Sequence, residues 1–93
     1  ISVQEVAQTV ERFPEVKDIH HIHIWYVGEN DIHMEAHINV EDMPVSQTDE
    51  LRAQIESKLH REFGIHHFTL QFECDVCKKR YLVQPAETQW IEK

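Results

Sequence analysis

Glycine and proline are scarce in this chain, two and three respectively in 93 residues. Loops must therefore be few and short, and low-complexity or disordered organisation is not expected. Positive charge is also in short supply: 9 Lys and Arg stand against 17 Asp and Glu, a formal charge of −8. Nucleic acid is bound largely through Lys and Arg on phosphates, so this balance argues against a nucleic-acid partner. The one local exception, Lys78-Lys79-Arg80, reads as a solvated end. Two cysteines are too few to staple a fold, which points to a reducing compartment. No apolar run approaches the length that spans a bilayer, and no signal peptide is visible. The chain opens on Ile rather than Met, as expected of a piece of a longer polypeptide.

What the chain does have is histidine. Eight are present, and three of them lie within four positions in His20-His21-Ile22-His23-Ile24-Trp25, a stretch of β-branched and aromatic residues that favours a strand. Imidazole is the commonest transition-metal ligand, and an acidic, histidine-rich surface is a reasonable host for cations. The apolar content of 41% supports one domain with a two-layer core.

In chain order, residues 2–13 read as a helix. Ser2 and Glu5 form a capping box, Val3, Val6, Val10 and Phe13 form the apolar stripe, and Pro14 stops it. The histidine strand runs from Val16 to Val27 and turns through Gly28-Glu29-Asn30-Asp31. From Ile32 to Val40 the alternation is clean. Ile32, Met34, Ala36, Ile38 and Val40 point one way, and His33, Glu35, His37 and Asn39 the other. Ser46 caps a second helix that ends at Gly64 in a left-handed cap, with Leu51, Ile55, Leu59 and Phe63 as core and Arg52, Glu56 and His60 opposite. His60 near that C-terminus makes a favourable dipole contact. A last strand runs from Ile65 to about Cys74, with His66, Phe68, Leu70 and Phe72 inward and His67, Thr69, Gln71 and Glu73 outward. His66 is expected at the edge of the core. Tyr81-Leu82-Val83 adds a short edge strand.

The order αββαβ makes an α+β two-layer sandwich, ferredoxin-like or metallochaperone-like, with two helices on one face of a three-stranded sheet. The other face is left open, like that of an antiparallel sheet with one solvated side. His20, His37 and Glu73, one from each strand, are a usual ligand set for Zn²⁺ and suit Co²⁺, Ni²⁺ or Fe²⁺ as well. Alternation puts His37 and Glu73 on the open face; His20 reaches it by the twist at the start of its strand. Cys74-x-x-Cys77 can chelate one soft or borderline ion. A redox dithiol would open a helix, and none is expected after this strand. No phosphate loop, nucleophile or cleft is legible, and His33 with Glu35 is only a pair on a solvated strand. No enzyme is expected.

Three ordered stretches, Val16-Lys17-Asp18-Ile19-His20-His21-Ile22-His23-Ile24-Trp25, Glu35-Ala36-His37-Ile38-Asn39-Val40 and Phe63-Gly64-Ile65-His66-His67-Phe68-Thr69-Leu70-Gln71-Phe72-Glu73, carry a family likeness. They match H-x-x-H-I-W, A-H-hydrophobic and G-I-x-H-x-T-hydrophobic-Q-x-E signatures. On these the chain resembles the cytoplasmic C-terminal domain of cation diffusion facilitator transporters, over residues 2 to about 77. The resemblance implies the αββαβ sandwich, a V-shaped homodimer, and a transmembrane domain of six helices upstream of residue 1, in a bacterial inner membrane. It implies divalent metal, most often Zn²⁺ with Cd²⁺, Co²⁺, Ni²⁺, Fe²⁺ or Mn²⁺ open, held by His20, His37 and Glu73. It adds His67 and His23 as residues that complete the shell, and Cys74 and Cys77 as cysteines of zinc-transporting members. Gln71 and Asp49 stand where some members have histidine, which weighs against a bridged binuclear site. Residues 1–77 form the regulatory domain and 78–93 a tail. The implied function is a dimerising metal sensor on a cation/proton antiporter; the alternatives are a free-standing metal carrier using the Cys pair, or a structural dimerisation module.

Overall fold

The computed structural model of the chain describes residues 1–74. Helix α1 (Val3–Glu11) starts where Ser2 Oγ accepts from the Glu5 N–H at 3.1 Å, the cap expected from the sequence. It buries Val6, Thr9 and Val10. Val3 belongs to the first turn and stays 45% exposed, while Thr9 is buried beside Val6 and Val10. The Thr9 hydroxyl is satisfied by donating to the Glu5 carbonyl at 2.9 Å, which makes its burial inexpensive.

Strands β1 (Val16–Tyr26) and β2 (Ile32–Val40) pair antiparallel through the Gly28–Asp31 turn, and β3 (His67–Glu73) adds parallel to β2, giving the order β1-β2-β3. The sheet is thus mixed rather than antiparallel, because the α2 (Val45–Phe63) crossover returns the chain in the direction of β2. Every core position of β2 named above is buried, and Ile38 is fully so. Against them pack Val6 and Val10 of α1 and Leu51, Ile55 and Leu59 of α2.

Helix α2 begins one residue before Ser46. Pro44 is the N-cap, extended at φ −64° and ψ 152°, and its carbonyl accepts from Gln47 and Thr48. Proline offers no side-chain acceptor, so the helix starts without a side-chain cap and Ser46 lies in the first turn. Gly64 ends the helix at φ 74°, as its position requires. Arg52 and Glu56 do not face open solvent. The Arg52 guanidinium donates to the Leu70 carbonyl at 3.0 Å and lies 4.9 Å over the Phe72 ring, covering the free edge of β3.

Burial pushes the Glu56 carboxyl above the ordinary range, with Arg52 partly offsetting it. A raised carboxyl favours the protonated form in the folded chain, so ionisation works against folding as pH rises past its unfolded value. Glu56→Gln should therefore raise Tm slightly at pH 7 and make no difference near pH 3, read by thermal melts.

β3 keeps the expected alternation from Phe68 onward, with Leu70 buried and Thr69 and Gln71 exposed. Its start differs. Ile65 fills the core and His66 is exposed, its backbone N–H bonded to the Ile32 carbonyl at 2.9 Å and its ring 5.3 Å from His60. The His60 Nδ1 lies 3.0 Å from the Ile65 carbonyl, so His60 ties the helix end to the chain beyond it. Tyr81–Val83, Cys77 and residues 78–93 lie outside the described residues.

Candidate metal centre

Side chains alternate across a regular strand, so a strand in phase with Val16 would turn His20 into the core. Two bulges prevent this. Between the pairs Val16↔Val40 and Asp18↔Asn39, β1 advances two residues while β2 advances one. Between His20↔His37 and His23↔Glu35 it advances three against two. Each bulge shifts the face by one step. The first turns His20 outward, opposite His37; the second returns Ile22 and Ile24 toward the core. Val16, Ile19, Ile22 and Ile24 are accordingly the inward residues of β1. His21 is the pivot of the second bulge, at φ 53° in the left-handed region, a conformation that costs a non-glycine residue about 1–2 kcal/mol. Its ring lies 5.1 Å from His20 and 5.0 Å from His37.

The three strands then deliver three donors to one place. His20 and His37 are cross-strand partners, and Glu73 enters from β3 opposite Asn39. Glu73 Oε1 is 3.4 Å from His20 Nε2, and Glu73 Oε2 is 2.7 Å from His37 Nδ1. One donor atom from each of the three lies within 4.8 Å of the others. Zinc held at about 2.0–2.1 Å by nitrogen and oxygen has ligand–ligand edges of about 3.3 Å in a tetrahedron. The 3.4 Å separation is already near that edge, and the 2.7 Å one, to the other carboxylate oxygen, is a hydrogen bond that an ion would replace. Two imidazoles and one carboxylate leave room for a fourth ligand.

Behind the donors is a supporting layer. His20 Nδ1 lies 3.1 Å from Asp18 Oδ1, and Asn39 Nδ2 donates to Asp18 Oδ2 at 3.3 Å. Those two contacts, the Asn39 bond first and His20 second, hold the Asp18 carboxyl below its ordinary range. A carboxylate on Nδ1 fixes the His20 tautomer and leaves Nε2 facing Glu73, free to bind an ion there. Gln71 Nε2 donates to Glu73 Oε2 at 3.2 Å. Asn39, placed on the open face by alternation, is only 4% exposed there. Asp18 was legible as a partner only once both residues were known to face outward, two apart on one side of β1.

His67 and His23 go elsewhere. His67 stands with Asp31 and His33, not with His20, His37 and Glu73. His23 pairs across the sheet with Glu35, both exposed. Cys74 follows Glu73 and is half-buried, while Cys77 lies outside the described residues.

With this geometry in hand, likeness to known proteins carries weight. The family model for the cytoplasmic domain of cation efflux proteins matches residues 1–75. The zinc transporter ZitB of Escherichia coli (strain K12) is 39% identical over 64 residues, 69% of this chain and 20% of that protein. The cadmium, cobalt and zinc/H(+)-K(+) antiporter of Bacillus subtilis (strain 168) is 29% identical over 76 residues, 81% of this chain and 24% of that protein. This chain thus spans about a fifth of the length of such relatives. Among solved structures, the metal-bound C-terminal domain of the CzcD transporter from Cuprividus metallidurans superposes with a TM-score of 0.68 at 29% identity, covering 78% of this chain and 99% of that one. A variant of the MamM-CTD has the same fold, with a TM-score of 0.67 at 23% identity over 76% of this chain and 90% of that one. The expected resemblance is thereby met, and the chain belongs to the family of cytoplasmic domains of cation efflux proteins.

Proposed function

We propose that this chain is the metal-binding, dimerising regulatory domain of a transporter that exchanges Zn²⁺ or a related divalent cation for protons and moves it out of the cytoplasm. The observation that carries the reading is the convergence of His20, His37 and Glu73 from three strands, with Asp18 orienting His20. The ZitB, antiporter and CzcD likenesses support divalent metal as the ligand and a membrane domain as the covalent neighbour. The domain has a sensing role and no catalytic step. Cys74 and Cys77, through their thiols, are auxiliary ligands that tilt preference toward Zn²⁺ or Cd²⁺.

Electrostatics supplies the switch. Each protomer carries −8, so two carry twice that, formally −16, and their halves repel. Cations bound on the open sheet face reduce that repulsion and favour a closed dimer. The exposed Trp25, Tyr26 and Val27 offer apolar surface at the turn end of β1 for contact between copies. Small-angle scattering should show the dimer contracting as Zn²⁺ reaches saturation; an unchanged radius of gyration would count against the switch. Protons and metal compete for imidazole nitrogen. Zinc affinity measured by calorimetry should fall at least about tenfold between roughly pH 7.5 and 5.5.

A further inference from the structure

At the turn end of the sheet a second group of donors converges, built from different residues. Asp31 closes the β1–β2 turn, its carbonyl accepting from Val27 at 2.8 Å. Two residues on, His33 opens the outward face of β2, and the parallel register sets His67 of β3 directly beside it. The two imidazoles stack at 4.3 Å with planes 23° apart, so their Nε2 atoms look the same way. Both look at Asp31. His67 Nε2 is 3.2 Å from Asp31 Oδ1, and His33 Nε2 is 3.5 Å from Asp31 Oδ2. The His33 Nε2 atom is buried yet makes no hydrogen bond, since 3.5 Å is too long for a good one. Trp25 covers the other side of His33 at 5.6 Å.

We infer that Asp31, His33 and His67 form a second divalent-metal site, separate from His20, His37 and Glu73. One donor atom from each lies within 4.8 Å of the others, and the 3.2 and 3.5 Å separations are those of ligands sharing a tetrahedral ion. A bound ion satisfies the His33 nitrogen that the metal-free turn leaves without a hydrogen bond. Two imidazoles and a carboxylate select a borderline cation, Zn²⁺, Co²⁺ or Ni²⁺, over Mg²⁺ or Ca²⁺. His33 and His37 are four residues apart on one strand, so the two sites stand about 13 Å from each other and do not share a ligand. His67 is 59% exposed, more than any ligand of the first site, so this ion is held less tightly and is the second to bind. Its effect is to pin the β1–β2 turn to the start of β3.

The test is equilibrium dialysis of Zn²⁺ against metal-free protein in a Cys74→Ser/Cys77→Ser background, which removes the thiolates from the count. The parent should take up two ions per chain, His37→Ala one, His67→Ala one, and the His37→Ala/His67→Ala double variant none. Asp31→Asn should weaken the second ion more than tenfold, and it retains a residue suited to the turn, so it guards against a folding artefact. A His67→Ala protein that binds as much zinc as the parent, with Asp31→Asn also unchanged, would overturn the inference and leave an ion-paired turn. If instead His37→Ala loses nothing while His67→Ala loses one ion, the second site stands and the first reading fails.

Discussion

Replacing His37 with alanine is expected to lower affinity for the tightest zinc ion by at least about 100-fold, measured by competition titration. His37 supplies a donor 2.7 Å from the Glu73 carboxylate, and its loss leaves a two-ligand remnant. Removing residues that only orient ligands costs metal sites about 10–100-fold, so a direct ligand should lie at or beyond the upper end. Asp18→Ala should fall within that lower span, because it leaves every donor in place and frees only the His20 ring. Stability of the metal-free protein should change little in His37→Ala, since the side chain is 36% exposed. A His37→Ala protein that binds zinc as tightly as the parent would return His37 to the role of an ordinary strand residue.

The second large effect joins the core to the site. Ile55 of α2 is fully buried against the sheet, and Ile55→Ala should cost about 2–5 kcal/mol. Small domains have of order 5 kcal/mol to lose, so the metal-free variant should be partly unfolded at 37 °C. The three donors meet only when all three strands are assembled, so zinc binds the folded state and not the unfolded chain. At 100 times its dissociation constant, an ion adds about 2.7 kcal/mol. Zinc should therefore restore much of the lost helicity in Ile55→Ala, read by circular dichroism, and clearly less in Ile55→Ala/His37→Ala, where only the weaker Asp31, His33 and His67 site remains. Equal rescue in both variants would mean that the ion stabilises the fold from somewhere else.

The order of elements and the inward face of β2 were legible because unbroken period-two patterning needs no tertiary information. His37 and Glu73 were legible for the same reason. His20 was named with them, but by twist rather than by the cause the structure shows: the first bulge in β1 sets its direction, and an extra residue in a strand leaves no composition signal. The outward turn of Asp18 was hidden by the same irregularity. The Asp31, His33 and His67 grouping depends on the parallel register between β2 and β3, which the long α2 crossover sets. Sequence spacing of 34 positions between His33 and His67 says nothing about that register. The family likeness named His67 as a shell residue of the first site, and strand register placed it beside another pair. At the helix ends the local rules worked where a motif is self-contained, as at Ser2 and Gly64. They misplaced the start of α2, where Pro44 took the cap and left Ser46 inside the first turn.

The most direct test of the account is an anomalous difference map, recorded at the zinc absorption edge from crystals grown with Zn²⁺. The prediction is a peak within about 2.0–2.2 Å of His20 Nε2, His37 Nδ1 and a Glu73 carboxylate oxygen. A map with zinc bound to the chain but no density between those three residues would contradict it.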